Sequence, residues 1–271
     1  MELAKARHAF ITGGASGIGL GVGKALAERG IRVTIADINP DAIDTVLTTE
    51  GEVFRGVRLD VCDRAGWAAA KAEAEAAFGP VDLLFNNAGI ASFGYQLADM
   101  APEAFDRVVA VDLTGVFNGV SAFAADMRER RHGHIVNTSS MAGICGPSQA
   151  IGGSYAAAKF GVVGLSETLR AELAPFGVGV SILCPGVTAT NIVQSSMKLG
   201  GDMRLPPTRE PGSAEHAASS PFESGVVDEV APRVLRGIEE NAPYIISHGR
   251  GWWPLAEARH VALEKAFEGM R

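Results

Sequence analysis

Arg7-His8-Ala9-Phe10-Ile11-Thr12-Gly13-Gly14-Ala15-Ser16-Gly17-Ile18-Gly19 joins a short apolar run to a glycine-rich turn, and a helical pattern follows to about Arg29. Residues Arg7 to Thr12 read as a buried strand. Strand, glycine turn and helix in this order suit a phosphate: without Cβ atoms a pyrophosphate can reach the backbone, and the first helical turn offers unpaired N–H groups at a positive dipole end. The spacing here is Thr12-Gly13-x-x-x-Gly17-x-Gly19 rather than G-x-G-x-x-G, and a tight strand-to-helix connection without a ligand is the other reading of such a turn.

The next apolar run, Ile31 to Ala36, ends in Asp37, at about the distance where a dinucleotide fold sets an acid on the adenosine ribose hydroxyls. An acid there repels the 2′-phosphate of NADP, and neither Ala36 nor Ile38 supplies a compensating cation. NAD is the cofactor this predicts; a turn aspartate ahead of Asn39-Pro40 is the alternative. The alternation continues through a helix from about Asp41, a strand Val53 to Leu59 ending in Asp60-Val61, and a helix from about Asp63 to Phe78 that Gly79-Pro80 stops. Val81 to Phe85 reads as a central parallel strand finishing in Asn86-Asn87-Ala88-Gly89, amides and a glycine where open α/β sheets bind ligands. A long helical pattern from Pro102 to about Arg130 contains Asp112. His134 to Asn137 is a strand opening into Thr138-Ser139-Ser140, and Val178 to Leu183 is one opening into Cys184-Pro185-Gly186-Val187-Thr188-Ala189-Thr190. Strand and helix units in such a series predict the α/β class: a Rossmann-type doubly wound parallel sheet of about seven strands with helices on both faces. The whole of 1–271 reads as one domain. A Gly/Pro/Ser-rich stretch at about 191–225 reads as a substrate lid, and a helix from about Asp228, a strand Tyr244 to Ile246 and a last helix from about Pro254 complete the chain.

Gly152-Gly153-Ser154-Tyr155-Ala156-Ala157-Ala158-Lys159 sets a tyrosine and a lysine four residues apart on a predicted helix running to about Leu173. At that spacing they share a face, and an ammonium beside a phenol favours the phenolate, lowering its pKa below the usual value of about 10. Such a pair is a candidate general acid/base; a rim tyrosine beside a solvated lysine has the same spacing.

Composition narrows the function classes. The net charge of −7, without a basic block, argues against a nucleic-acid partner, and 47% hydrophobic residues suffice for a large core. The first ten residues lack the apolar core of a signal peptide, and no uninterrupted apolar run approaches the length of a membrane span, so the expectation is a cytoplasmic protein with no membrane partner. Cys62, Cys145 and Cys184 match neither a disulfide framework nor a zinc site and read as small apolar residues; no metal is expected.

The set Thr12-Gly13-x-x-x-Gly17-Ile18-Gly19, Asn86-Asn87-Ala88-Gly89, Ser140, Tyr155-x-x-x-Lys159 and Pro185-Gly186, in this order and spacing, resembles the short-chain dehydrogenase/reductase family over nearly the whole chain. The resemblance implies an NAD-dependent alcohol dehydrogenase or ketone reductase. Tyr155 would be its acid/base, Lys159 the partner that lowers the tyrosine pKa and binds the nicotinamide ribose, and Ser140 the group that orients the substrate oxygen. Ser140 is preferred to Ser139 because the family's serine stands two residues ahead of an Ala/Gly-type pair, here Ala142-Gly143. It assigns cofactor contacts to Gly13, Ser16, Gly17, Ile18, Gly19, Asp37, Asp60, Val61, Asn87, Ala88, Gly89, Tyr155, Lys159, Pro185, Gly186, Thr188 and Thr190. It also implies a homodimer or homotetramer built through the helices around Phe105 to Phe123 and Tyr155 to Leu173.

Two departures stand out. The family's usual asparagine, which supports a water and the lysine in a proton relay, aligns with Asp112, and the interval from Ser140 to Tyr155 is about two residues longer than expected. Readable parts of the loop and lid are apolar or neutral (Ile144, Pro147, Ile151, Met197, Leu199), which favours a hydrophobic small-molecule alcohol or ketone. Ala91-Ser92-Phe93-Gly94, Asn241-Ala242-Pro243-Tyr244-Ile245-Ile246-Ser247-His248-Gly249 and Glu257-Ala258-Arg259 look like the branch that oxidises benzylic alcohols of lignin-derived aryl ethers. The competing readings are a broad ketone or acyl-carrier ketoreductase, which would want NADP and a basic docking patch, and a dinucleotide-binding regulator without chemistry. Trp252 and Trp253 read as packing of the last helix, or as reaching a pocket or a second subunit.

Overall fold

The computed structural model describes residues 2–91, 96–145, 152–186, 192, 196, 227–247 and 250–269. Seven parallel strands form one sheet: β1 (His8–Thr12), β2 (Arg32–Asp37), β3 (Phe54–Arg58), β4 (Leu83–Asn86), β5 (His134–Thr138), β6 (Gly179–Cys184) and β7 (Tyr244–Ile246). Their order is β3-β2-β1-β4-β5-β6-β7. The direction of winding reverses between β1 and β4, which opens a crevice beyond the carboxyl ends of those two strands.

Both faces of the sheet are covered, which is why the central strands read as continuous apolar runs. Alternate residues point to opposite sides: Ile11, Phe85 and Val136 to one, Phe10, Leu84 and Ile135 to the other. The first side packs on α1 (Gly17–Ala27), α2 (Pro40–Glu50) and α8 (Val227–Glu239) through Val22, Leu26, Ile43, Val46, Val234 and Leu235. The second packs on α3 (Arg64–Phe78), α5 (Gly115–Arg130) and α7 (Gly153–Leu173) through Trp67, Phe123, Met127 and Leu169. The remaining helices are α4 (Pro102–Val109), the short α6 (Ala142–Cys145) and α9 (Trp253–Glu268).

The helical pattern expected from Pro102 to Arg130 is not uniform. Between α4 and α5, Ala110–Thr114 forms a turn of π-helix, one residue wider per turn than α-helix, and Asp112 sits inside it, wholly buried. No uninterrupted apolar run forms here, because Asp112 breaks it, yet the most apolar window of this stretch has a mean hydropathy of 1.6, enough by length and composition alone for a membrane span. Half of that window is buried within the protein, where it serves as a core helix. Of the cysteines, Cys145 and Cys184 are buried as expected, whereas Cys62 is exposed. Trp252 is 5% exposed and packs with Met141, Cys145, Ile182 and Cys184; its neighbour Trp253 is 54% exposed, so the two tryptophans have separate roles.

Candidate active site

The glycine turn is built to keep space clear. Gly13 and Gly17 have positive φ, +60° and +52°, a conformation that costs glycine least. A Cβ on Gly19 would lie 2.4 Å from the Gly13 carbonyl oxygen and 2.7 Å from the Asn87 amide nitrogen. Ser16 occupies the N-cap of α1 without making a side-chain capping bond, which leaves the first-turn N–H groups to another acceptor. Asp37 ends β2 beside this turn: its Oδ2 accepts from Ala15 N at 3.3 Å and its Oδ1 from Asn39 N at 3.1 Å. The cleared backbone, the uncapped helix start and the neighbouring carboxylate fit the pyrophosphate and adenosine ribose of a dinucleotide.

Thr12 ties this turn to the end of β4. Its hydroxyl accepts from Asn87 N (2.9 Å) and Ala88 N (3.0 Å) and donates to Phe85 O (3.3 Å), while Asn87 Nδ2 donates to Thr12 O at 3.1 Å. Asp60 and Val61 follow β3, next along the sheet: Leu59 N donates to Asp37 O, Asp60 Oδ1 accepts from Cys62 N, and Val61 O accepts from both Trp67 Nε1 and Asn118 Nδ2. Pro185 O beyond β6 accepts from Met141 N at 2.9 Å, holding the ends of β5 and β6 together, and Gly186 follows directly. Thr188 and Thr190 lie outside the described residues, as does the stretch read as a lid apart from Ile192 and Ser196. Ser196 Oγ accepts from Ala91 N at 2.8 Å and donates to Ile192 O, a link from that stretch to the end of β4 that the sequence did not signal.

Tyr155 and Lys159 lie on the first turns of α7, with Lys159 Nζ 5.4 Å from the centre of the Tyr155 ring. Lys159 is buried. Its Nζ donates to Thr138 O at 3.0 Å and stands 3.1 Å from Asp112 Oδ2, while Asp112 Oδ1 accepts from Ile90 N at 2.8 Å. A Cβ on Gly89 would sit 3.3 Å from Asp112 Oδ2 and 3.4 Å from Lys159 Nζ, so the missing side chain lets the end of β4 lie over this pair. The adjacent serines diverge. Ser139 is buried and donates to Lys159 O at 2.8 Å, pinning α7 to β5. Ser140 accepts from Ala142 N at 3.1 Å, and its hydroxyl faces the Tyr155 phenol.

Burial and charge act against each other here. Burial raises the Tyr155 pKa above its ordinary value; Lys159 opposes that, Asp112 reinforces it, and Ser140 eases ionisation. The expectation that Lys159 would bring the phenol below its usual pKa is thus corrected for the isolated chain: desolvation, assisted by the carboxylate, outweighs the ammonium. Burial also works against the Lys159 ammonium, yet Asp112 and then Tyr155 outweigh it and hold the lysine charged. Burial pushes the Asp112 carboxyl up, with Lys159 and the Ile90 N–H pulling the other way. Among the described residues, no group of three or more His, Cys, Asp or Glu comes together to hold a metal ion.

The model of the short chain dehydrogenase family matches residues 7–199. The chain belongs to the short-chain dehydrogenase family. A C alpha-dehydrogenase from Sphingobium sp. strain SYK-6 is 36% identical over 97% of this chain and 84% of its own length. A 2-(S)-hydroxypropyl-CoM dehydrogenase from Xanthobacter autotrophicus is 35% identical over 87% of this chain and 90% of its own. Among solved structures, a short-chain dehydrogenase/reductase from Burkholderia phymatum in complex with NAD superposes with a TM-score of 0.84 at 32% identity, covering 98% of this chain and 97% of that one. The chain is accordingly an oxidoreductase of this family, with relatives named as dehydrogenases and reductases.

Proposed function

We propose that this oxidoreductase uses NAD to interconvert hydrophobic, aryl-bearing secondary alcohols and their ketones, with Tyr155 as the acid/base. The observation that carries this reading is the convergence of Tyr155, Lys159 and Ser140 at the carboxyl ends of β5 and β6, across the crevice from the glycine turn and Asp37. NAD rather than NADP is favoured by the Asp37 carboxylate at the ribose end and by the NAD complex of the Burkholderia relative. An aryl substrate is favoured by a relative named for oxidation at a Cα carbon and by the sequence likeness to the benzylic branch.

In the oxidising direction the Ser140 hydroxyl orients the substrate oxygen, and Tyr155, as phenolate, takes the hydroxyl proton while the carbinol C–H bond breaks. Bound oxidised nicotinamide supplies the acceptor for that hydride, so alcohol and NAD become ketone, NADH and a proton. Lys159 spends two N–H groups on Thr138 O and Asp112 and keeps one for a ribose hydroxyl, while its charge favours the phenolate. Exposed Phe105 and Phe117, on α4 and α5, support assembly into a homodimer or homotetramer through those helices. A cytoplasmic setting belongs to the same reading.

NADH absorbance, followed with aryl and aliphatic secondary alcohols against NAD and NADP, tests the proposal. Faster turnover of the aryl series with NAD is expected. Preference for NADP overturns the role of Asp37, and preference for the aliphatic series overturns the substrate class.

A further inference from the structure

Asp112 is an unusual neighbour for a tyrosine that must lose a proton. It reaches the site through the π-helical turn Ala110–Thr114, which interrupts the α-helical hydrogen bonding on either side and turns this one carboxylate inward. Once there it is fixed from two directions: Oδ1 by Ile90 N at 2.8 Å, and Oδ2 by Lys159 Nζ at 3.1 Å, with both side chains buried. A neutral amide has one carbonyl oxygen, enough for Ile90 N, and would set its NH2 where Oδ2 now faces the ammonium. What the carboxylate adds is a full negative charge in a site of low dielectric.

We propose that Asp112 is a positioning residue with an electrostatic cost: its charge locks the Lys159 ammonium in place and at the same time opposes ionisation of Tyr155, so that alcohol oxidation in this chain is displaced to higher pH. This deepens the proposed function and rests on its assignment of Tyr155. The charge balance shows why. With Lys159 cationic and Asp112 anionic, the buried group is neutral while the phenol keeps its proton, and it becomes a net anion when the proton leaves. With an amide at 112 the same ionisation takes a cation to neutrality, which burial favours.

The groups that face Tyr155 among the described residues are Lys159 on its own helix, Asp112 on the π-helical turn, Ser140 after β5 and the Cys184 thiol at the end of β6. Lys159 and Ser140 favour the phenolate, whereas Asp112 and Cys184 oppose it. The Cys184 thiol is itself raised by burial and stays neutral, which leaves Asp112 as the opposing charge. Loss of that charge also removes the chief support of the Lys159 ammonium against burial. Asp112→Asn therefore separates the roles: its carbonyl oxygen keeps the acceptor for Ile90 N and the side chain keeps its shape while the charge beside Lys159 is lost, and Asp112→Ala deletes the acceptor as well.

The chain has three tyrosines, so a difference titration of tyrosinate absorbance between each protein and its Tyr155→Phe counterpart reports the Tyr155 ionisation without any turnover. In Asp112→Asn that ionisation should move down by about one pH unit, and the acid limb of kcat/KM for alcohol oxidation should move with it. Asp112→Ala should also lose stability, because Ile90 N is left without its acceptor. An unmoved or upward-moving tyrosinate titration in Asp112→Asn overturns the inference. If Tyr155→Phe retains full turnover, it is the underlying assignment of Tyr155 that falls, whatever the titration shows.

Discussion

At the amino ends of the strands, His8, Asp82 and His134 are buried polar groups tied to main-chain and side-chain partners that belong to the fold; at the carboxyl ends, the buried Asp112 and Lys159 and the half-buried Tyr155 act largely on one another. His8 donates through Nδ1 to Gly79 O at 2.7 Å and accepts at Nε2 from Thr34 Oγ1 at 2.9 Å. His134 Nε2 donates to Ser181 Oγ at 2.9 Å, and that hydroxyl passes its own proton to Ala242 O. Asp82 accepts from Arg7 N at 2.8 Å and from Arg130 Nη1 at 3.1 Å, with His132 Nε2 at 3.5 Å. Each of these contacts joins neighbouring strands or their connections, so its free energy goes into the fold, although His134 Nδ1 is buried without a hydrogen-bond partner among the described residues. At the other end Lys159 and Asp112 are satisfied in part by each other, and the Tyr155 phenol is left poised between an ammonium and a carboxylate. Buried polarity therefore marks function here only where the groups are coupled to one another and open onto the crevice.

The largest effect that would sharpen this contrast is chemical. Tyr155→Phe should lower kcat/KM by about three orders of magnitude, the range expected for loss of a general acid/base, while thermal unfolding stays close to that of the parent. Retained turnover would break the contrast at its functional end. At the structural end, Asp82→Ala should lose about 2 to 3 kcal/mol of stability in urea unfolding, since it strands Arg7 N–H and part of Arg130, yet leave kcat nearly unchanged.

A smaller effect depends on pH. Burial lowers the His134 pKa to about 3, so the folded chain keeps this ring neutral while the unfolded chain takes up a proton below about 6.5. The stabilisation is complete above that pH and drains away as the pH falls toward 3, by about 1.4 kcal/mol per unit. His8, also lowered by burial, adds in the same direction. Unfolding free energies measured from neutral pH to about pH 5 should show the slope, and His134→Gln should flatten it. The smallest effect is Ser139→Ala, which removes one buried hydrogen bond to Lys159 O and should cost about 1 kcal/mol without moving the pH profile of oxidation. A displaced profile would mean that Ser139, like Ser140, belongs to the reacting group.

The seven-stranded sheet was legible because the central strands are buried on both faces and so are short, mainly apolar runs, with Gly13, Asn86 and Pro185 closing three of them. The Tyr155 and Lys159 pair was legible because four residues is nearly one helical turn. Hydroxyl directions were less so: Ser139 and Ser140 are chemically alike, and only the packing of Gly143 on α7 decides that one faces backbone and the other the phenol. The supporting parts played by Thr138 O and by the hydroxyl of Thr12 depend on strands distant in sequence. Even the sign of the Tyr155 shift escaped a reading by neighbours, because desolvation belongs to the whole fold and not to the four-residue interval.

The π-helical turn at Ala110–Thr114 has a consequence for how this chain can change over evolution. Each α-helical residue turns the chain by about 100°, so losing or gaining one residue here would rephase everything downstream. If Asp112 stayed on Lys159, Phe123 and Met127 would swing away from the sheet; if they stayed in the core, the carboxylate would leave the site. Point substitutions can alter either end of that bargain separately, but an indel cannot. The length of this segment is therefore an inherited constraint that binds the chemistry of one end of the sheet to the packing of its face.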